Sequence, residues 1–304
     1  MKNGTIWKDI DGNPIQAHGG MLLQHQGTWY WYGENKSGAS HQTAAGKWRV
    51  DVVGISCYSS PDLMNWTYEG LVLKADRTDP EHPLYYKKVC ERPKVLYCAK
   101  TGKFVMLMHL DYADYTYAAV GIAVAERPTG PFTLVKGKQP NKLDVRDMTV
   151  WQEPDGTAWL IHSTHWNRTL ALSRLTEDYT DVDGFYVYAT PDQKREAPAL
   201  CFHNSIYYMV TSGCTGWKPN SALYATSPHL TGPWVLVDNP CEGPNYRKTF
   251  YGQSTYIFEH NGQKYLMLDH WKPEELSNSG YSFLPLDIDE NGILTVRWTE
   301  EVHF

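Results

Sequence analysis

No apolar run in this 304-residue chain approaches the ~18 residues that would carry a helix across a bilayer, which excludes membrane insertion by a helix. Basic clusters are missing too. The formal net charge is -6 and no block of lysines and arginines stands out. A polyanion such as nucleic acid needs a concentrated basic footprint, so it is excluded as a partner. Cysteine is sparse: Cys57, Cys90, Cys98, Cys201, Cys214 and Cys241 form no C-x-x-C pair and no ligand-like spacing with histidine. A zinc site is excluded on that pattern, and the six read as buried thiols. The opening segment MKNGTIWKDIDGNP lacks the apolar core of a signal peptide. As it stands the chain is expected in the cytoplasm, or in the periplasm or outside the cell if a leader has been removed.

What the chain has in abundance is aromatic surface, 12 Trp and 21 Tyr among them. That excess is typical of strand-rich proteins that handle sugars, although most of the rings are expected to fill the core. Five stretches resemble one another: GTWYWYG from Gly27, GKFVMLM from Gly102, GTAWLIH from Gly156, NSIYYMV from Asn204 and GQKYLML from Gly262. Each starts on a residue suited to a tight turn and runs on into strand-forming residues, and each follows another apolar run, which predicts five β-hairpins. Further strand segments lie between them, two of which end in T-G-P-aromatic, at 129–132 and 231–234. The turns recur at intervals of about 50 to 75 residues, near the ~40–50 of a four-stranded propeller blade plus its loops. The expected fold is an all-β, five-bladed β-propeller that occupies residues 1–304 as one domain.

A propeller sets the first strand of every blade around a central channel. The residues that open these strands are His18, Glu91, Asp147, Glu196 and Gln253. Three carboxylates brought to one funnel raise the pKa of at least one of them, which makes a carboxylic acid available near neutral pH. Paired carboxyls are the machinery of glycoside hydrolysis: one protonates the leaving oxygen while another group serves the water. Trp31, Trp48, Trp166, Trp217 and Trp271 are candidate platforms for the apolar face of a sugar.

The segments HGGMLLQHQGTWYWYGENK, CERPKVLY, RDMTVW, SRL, REAPAL and YGQSTYI together resemble glycoside hydrolase family 43, and within it the exo-β-1,3-galactanase branch. The likeness runs from about Gly12 to the carboxyl terminus, with no appended carbohydrate-binding module expected. It implies that Glu196 is the general acid and that Asp147 orients and tunes it. The family's usual blade-one Asp is absent, and Ala17-His18-Gly19 stands in its place. The branch shares this departure, and there a blade-two Glu and a blade-five Gln surround the water, here Glu91 and Gln253. A neutral carboxamide is a poor base, so Gln253 is expected to position the water, through an unusual tautomer or otherwise, and Glu91 to accept the proton.

The same likeness places Glu34, Tyr115, Asn167 and Thr215 against the sugar, with Tyr112 and Thr211 as alternatives to the second and fourth. His18 binds a galactose hydroxyl or only holds the Gly19-Gly20 turn. The expected substrate is β-1,3-galactan or a galacto-oligosaccharide, cleaved with inversion and without metal or organic cofactor. An α-L-arabinofuranosidase or β-xylosidase on the same fold, and a silent galactan-binding propeller, are the alternatives.

Overall fold

The protein is seen here as a computed structural model that describes residues 1–42 and 48–304. The five predicted hairpins are all present, and each opens an antiparallel sheet. Blade one is built from His18–His25, Thr28–Glu34, Gly54–Ser60 and Thr67–Lys74. Blade two runs Val89–Cys98, Lys103–Asp111, Ala119–Ala125 and Thr133–Lys138. Blade three is Met148–Gln152, Ala158–Thr164, Thr169–Leu175 and Val182–Tyr188, and blade four Arg195–His203, Ile206–Gly213, Leu223–Ser227 and Val235–Leu236. Blade five comprises Gln253–His260, Gln263–His270, Gly280–Ile288 and Leu294–Arg297, with Cys241–Glu242 added in parallel at its outer edge. The first strand of each blade packs against the first strand of the next, and that of blade five against that of blade one, so the ring is closed.

The local causes are the ones the sequence advertises. Gly27, Gly102, Gly156 and Gly262 turn their hairpins at φ between 71° and 88°, and Asn204 does so at 46°, a left-handed conformation these two residue types tolerate best. Both T-G-P-aromatic segments carry a cis Gly–Pro bond, at 130–131 and 232–233. The amino-terminal segment pairs with the carboxyl-terminal one, Met1 N donating to Val302 O, and Gly4 N donates to Tyr281 O in blade five.

Wedges between blades need wide side chains, and the aromatics supply them. Trp7, Trp31, Trp66, Phe258, Tyr281 and Phe283 form one buried cluster between blades one and five. Trp31 is its hub, with ring centroids 5.3 Å from Trp66, 4.8 Å from Tyr281 and 5.3 Å from Phe283. At 0% exposure it is core, which removes it from the sugar platforms proposed above. Replacing it with alanine is expected to cost about 3–5 kcal/mol of folding stability, measured by urea denaturation.

Five of the six cysteines are buried free thiols, as expected. Cys214 is exposed, because it sits on the loop after the second strand of blade four instead of inside a sheet.

Candidate active site

Four of the five predicted channel residues open their strands beside a backbone irregularity. In blades one, two and four the next residue is left-handed: Gly19 at φ 58°, Arg92 at 54° and Ala197 at 52°. At each the strand register slips, between His18 and Met21, Glu91 and Lys94, and Glu196 and Ala199. A comparable slip follows Gln253 in blade five. Such bulges re-aim a side chain without breaking the sheet, which is how strand residues come to face along the channel. Gly19 has no alternative there: a Cβ would lie 2.2 Å from Glu34 Oε1.

Glu196 is the centre of one half of the site. Its Oε2 accepts from Asn167 Nδ2 at 2.9 Å, and its Oε1 from Gln253 Nε2 at 3.3 Å. Burial, reinforced by the negative charge of Asp147 and opposed by Arg92, pushes its carboxyl up to about 8. Asp147 is gripped by Arg92 in a two-pronged ion pair, Nε to Oδ1 and Nη2 to Oδ2, both 3.0 Å. The same guanidinium reaches Gln253 Oε1 and donates to Ser254 O at 3.0 Å.

Gln253 Oε1 also accepts from Trp271 Nε1 at 2.9 Å, and its Nε2 donates to Ser212 Oγ at 3.0 Å. Arginine and indole N–H groups can only donate, so the amide is oriented without ambiguity. An Oε1–H would face two donors and no acceptor.

Glu91 anchors the other half. Tyr115 O–H donates to its Oε1 at 3.0 Å, Lys36 Nζ stands 3.7 Å from the same oxygen, and His109 Nδ1 is 3.4 Å from Oε2. Burial would raise its pKa, but the lysine, the histidine and the tyrosine outweigh burial and hold it at about 2. His109 is itself held up at about 9: burial pulls it down, and Asp111, 3.1 Å from Nε2, together with Glu91 more than compensates. Glu34 is buried, ion-paired to Lys36, and accepts from Arg92 N at 2.9 Å. Burial, with Glu91 nearby, raises its pKa against the pull of Lys36. Glu34, Lys36, Glu91, Tyr115 and Trp217 share one cleft, and Trp217, Gln253 and Trp271 line the adjoining one.

The structure thus brings Glu34, Glu91, Tyr115, Asp147, Asn167, Glu196 and Gln253 together. Tyr112, the alternative to Tyr115, is exposed and stacks on Tyr117 instead. His18 does not reach the funnel. It is wholly buried, with Nδ1 3.3 Å from Asp269 Oδ1 and Nε2 3.1 Å from Tyr281 O–H, so neither nitrogen is left for a sugar. Asp269 in turn accepts from Gly19 N at 3.0 Å, which makes His18 a prop for the Gly19 turn.

Thr215 also lies outside the bonded set: its hydroxyl donates to Lys218 O and accepts from Asn220, both within its own loop. Thr211 is buried against Arg195. Trp271, named as a platform, acts here as a hydrogen-bond donor. Sequence reasoning missed Arg92, Lys36 and His109, although three clustered carboxylates demand buried cations and two of these sit next to predicted acids in ERPK and GENK. Cys214 was missed as well; its thiol donates to Asn167 O at 3.3 Å and braces the loop that carries Asn167.

A sequence model for Glycosyl hydrolases family 43 matches residues 21–267. No protein of curated function matches the chain in sequence. Among solved structures, a family 43 β-1,3-galactosidase determined with galactodeoxynojirimycin is 34% identical with a TM-score of 0.94, over 100% of both chains. An exo-β-1,3-galactanase from Phanerochaete chrysosporium, determined with galactose, is 32% identical with a TM-score of 0.87, over 97% of this chain and 66% of the other. The exo-β-1,3-galactanase 1,3Gal43A from Clostridium thermocellum is 34% identical with a TM-score of 0.85, over 98% of this chain and 65% of the other. On the family match and these likenesses, the chain belongs to glycosyl hydrolase family 43.

Proposed function

We propose that this protein is an inverting exo-β-1,3-galactanase that removes galactose from the non-reducing end of β-1,3-galactan. The observation that carries the reading is the state of Glu196: a carboxyl held protonated near neutral pH by burial and by Asp147, its two oxygens fixed by Asn167 and Gln253. Such a group donates to a glycosidic oxygen. Asp147 keeps that proton on Glu196 by like-charge repulsion, and the two-pronged bond from Arg92 holds the Asp147 carboxylate in place.

All hydrogen-bonding positions of the Gln253 carboxamide are taken by protein groups, and the longest bond, to Glu196, is the one that water or substrate would displace. Glu91 is ionised at any working pH and takes the hydrogen bond of the incoming water. Its low basicity delays proton transfer until the water oxygen has begun to bond to the anomeric carbon. The proton from Glu196 goes to the leaving oxygen and that of the water to Glu91, so both sides balance.

Likeness to the β-1,3-galactosidase and exo-β-1,3-galactanases above supports galactose over arabinose or xylose. A panel decides it: β-1,3-galactobiose is expected to be cleaved, and aryl α-L-arabinofuranoside and aryl β-xyloside to be left at least a hundredfold slower. Faster cleavage of either pentoside would transfer the protein to another specificity of the family.

A further inference from the structure

The acid side of the site continues into an exposed aromatic row on blade three. Asn167, bonded to Glu196, is the last of three consecutive left-handed residues, His165, Trp166 and Asn167, at φ 51°, 57° and 61°. The loop is pinned from below: Asp144 accepts from Thr164 Oγ1, His165 N and Trp166 N. So fixed, Trp166 stands 67% exposed, with the Arg146 guanidinium 4.3 Å from its ring centroid. A ring this exposed, held this firmly, has no role in the core. Next to it His165 meets Tyr188, ring centroids 5.3 Å apart, and Tyr188 meets Tyr186 at 5.7 Å. Both tyrosines are about 40% exposed on the outer strand of the blade. One further sign of a ligand lies at the head of the row: Asn167 Oδ1 is buried and accepts no hydrogen bond among the described residues.

The geometry points to a binding track for the leaving-group side of the polymer, in which Trp166 stacks on a galactosyl unit beyond the cleaved bond and Tyr188 and Tyr186 receive later units. This rests on the assignment of Glu196 as the acid, because the acid marks the side on which the leaving sugar lies. The occupant is the substrate's own reducing-end portion: the row is continuous with the catalytic funnel through Asn167, and its rings match the apolar faces of neutral sugars. Asn167 Oδ1 is placed to accept a hydroxyl of the first leaving unit. The track would let an enzyme that removes one residue at a time hold a chain several residues long.

The test compares kcat/KM for β-1,3-galactobiose, -triose and -tetraose between the wild type and the Trp166→Ala/Tyr188→Ala variant. Both side chains are exposed, so the variant is expected to fold. In the wild type kcat/KM rises with chain length; in the variant the advantage of tetraose over biose falls about tenfold, the worth of an aromatic contact of ~1.4 kcal/mol. An unchanged length dependence, or none in the wild type, overturns the track while leaving the hydrolase reading intact. If the wild type cleaves none of the three, the catalytic reading fails, and retardation in affinity gels containing β-1,3-galactan then decides the track: loss of retardation in the variant upholds it, and equal mobility overturns it.

Discussion

Glu196→Gln is expected to lower kcat on β-1,3-galactobiose by about 10³–10⁴-fold while KM changes little. The side chain keeps its shape and one oxygen for Asn167, so substrate binding survives and only the proton is lost. A folding defect is not expected. The raised pKa shows that the fold disfavours the ionised form, and at pH 7 the wild-type group is already mostly the neutral acid that glutamine imitates. Steady-state kinetics with a thermal melt beside them check both halves. A variant that keeps more than a tenth of wild-type kcat would remove Glu196 from the acid's role.

Asp147→Asn is expected to act through pH. In the wild type the descending limb of kcat/KM is expected to follow the Glu196 proton, whose carboxyl is pushed up to about 8, and so to fall near that pH. Asp147 raises that value, and Arg92 opposes it. Removing the Asp147 charge leaves the guanidinium uncompensated beside Glu196, and both changes favour the carboxylate. The limb therefore moves toward acid, with a loss of more than tenfold at pH 8 and much of the activity restored near pH 5. Breaking a buried pair also costs about 3–5 kcal/mol, so the profile is best taken at a temperature well below the variant's melting point. A purely structural Asp147 would give a loss equal at every pH, and pH–rate profiles of the two proteins separate the cases.

The fold was largely legible because its signals are local. Turn residues at Gly27, Gly102, Gly156, Asn204 and Gly262, each followed by strand-forming side chains, define five hairpins without reference to any distant contact. The channel residues followed from counting back along those strands: Asp147, Glu196 and Gln253 do meet through Arg92, and Glu91 lines the adjoining cleft. What escaped depends on long-range packing. Nothing in the run around Trp31 distinguishes a rim tryptophan from the hub of a cluster between the first and last blades.

His18 occupies the right strand position, but Asp269 and Tyr281, more than 250 residues away, claim both of its nitrogens. The left-handed backbone at Arg92 and Ala197 is unusual for residues with a Cβ and carries no glycine to announce it. For Arg92 that geometry is decisive, since one bulge sends its backbone N–H to Glu34 and its guanidinium to Asp147 and Gln253. Glu91 shows what residue type alone does not tell: Lys36, His109 and Tyr115 hold its carboxyl at about 2, which leaves it only weakly basic.

The most direct test of the account follows β-1,3-galactotriose by proton NMR from the first minutes after mixing, with the wild type and Glu196→Gln run in parallel. α-Galactose is expected to appear first with the wild type and to be lost in the variant. Initial release of β-galactose, or binding without any release by the wild type, would contradict it.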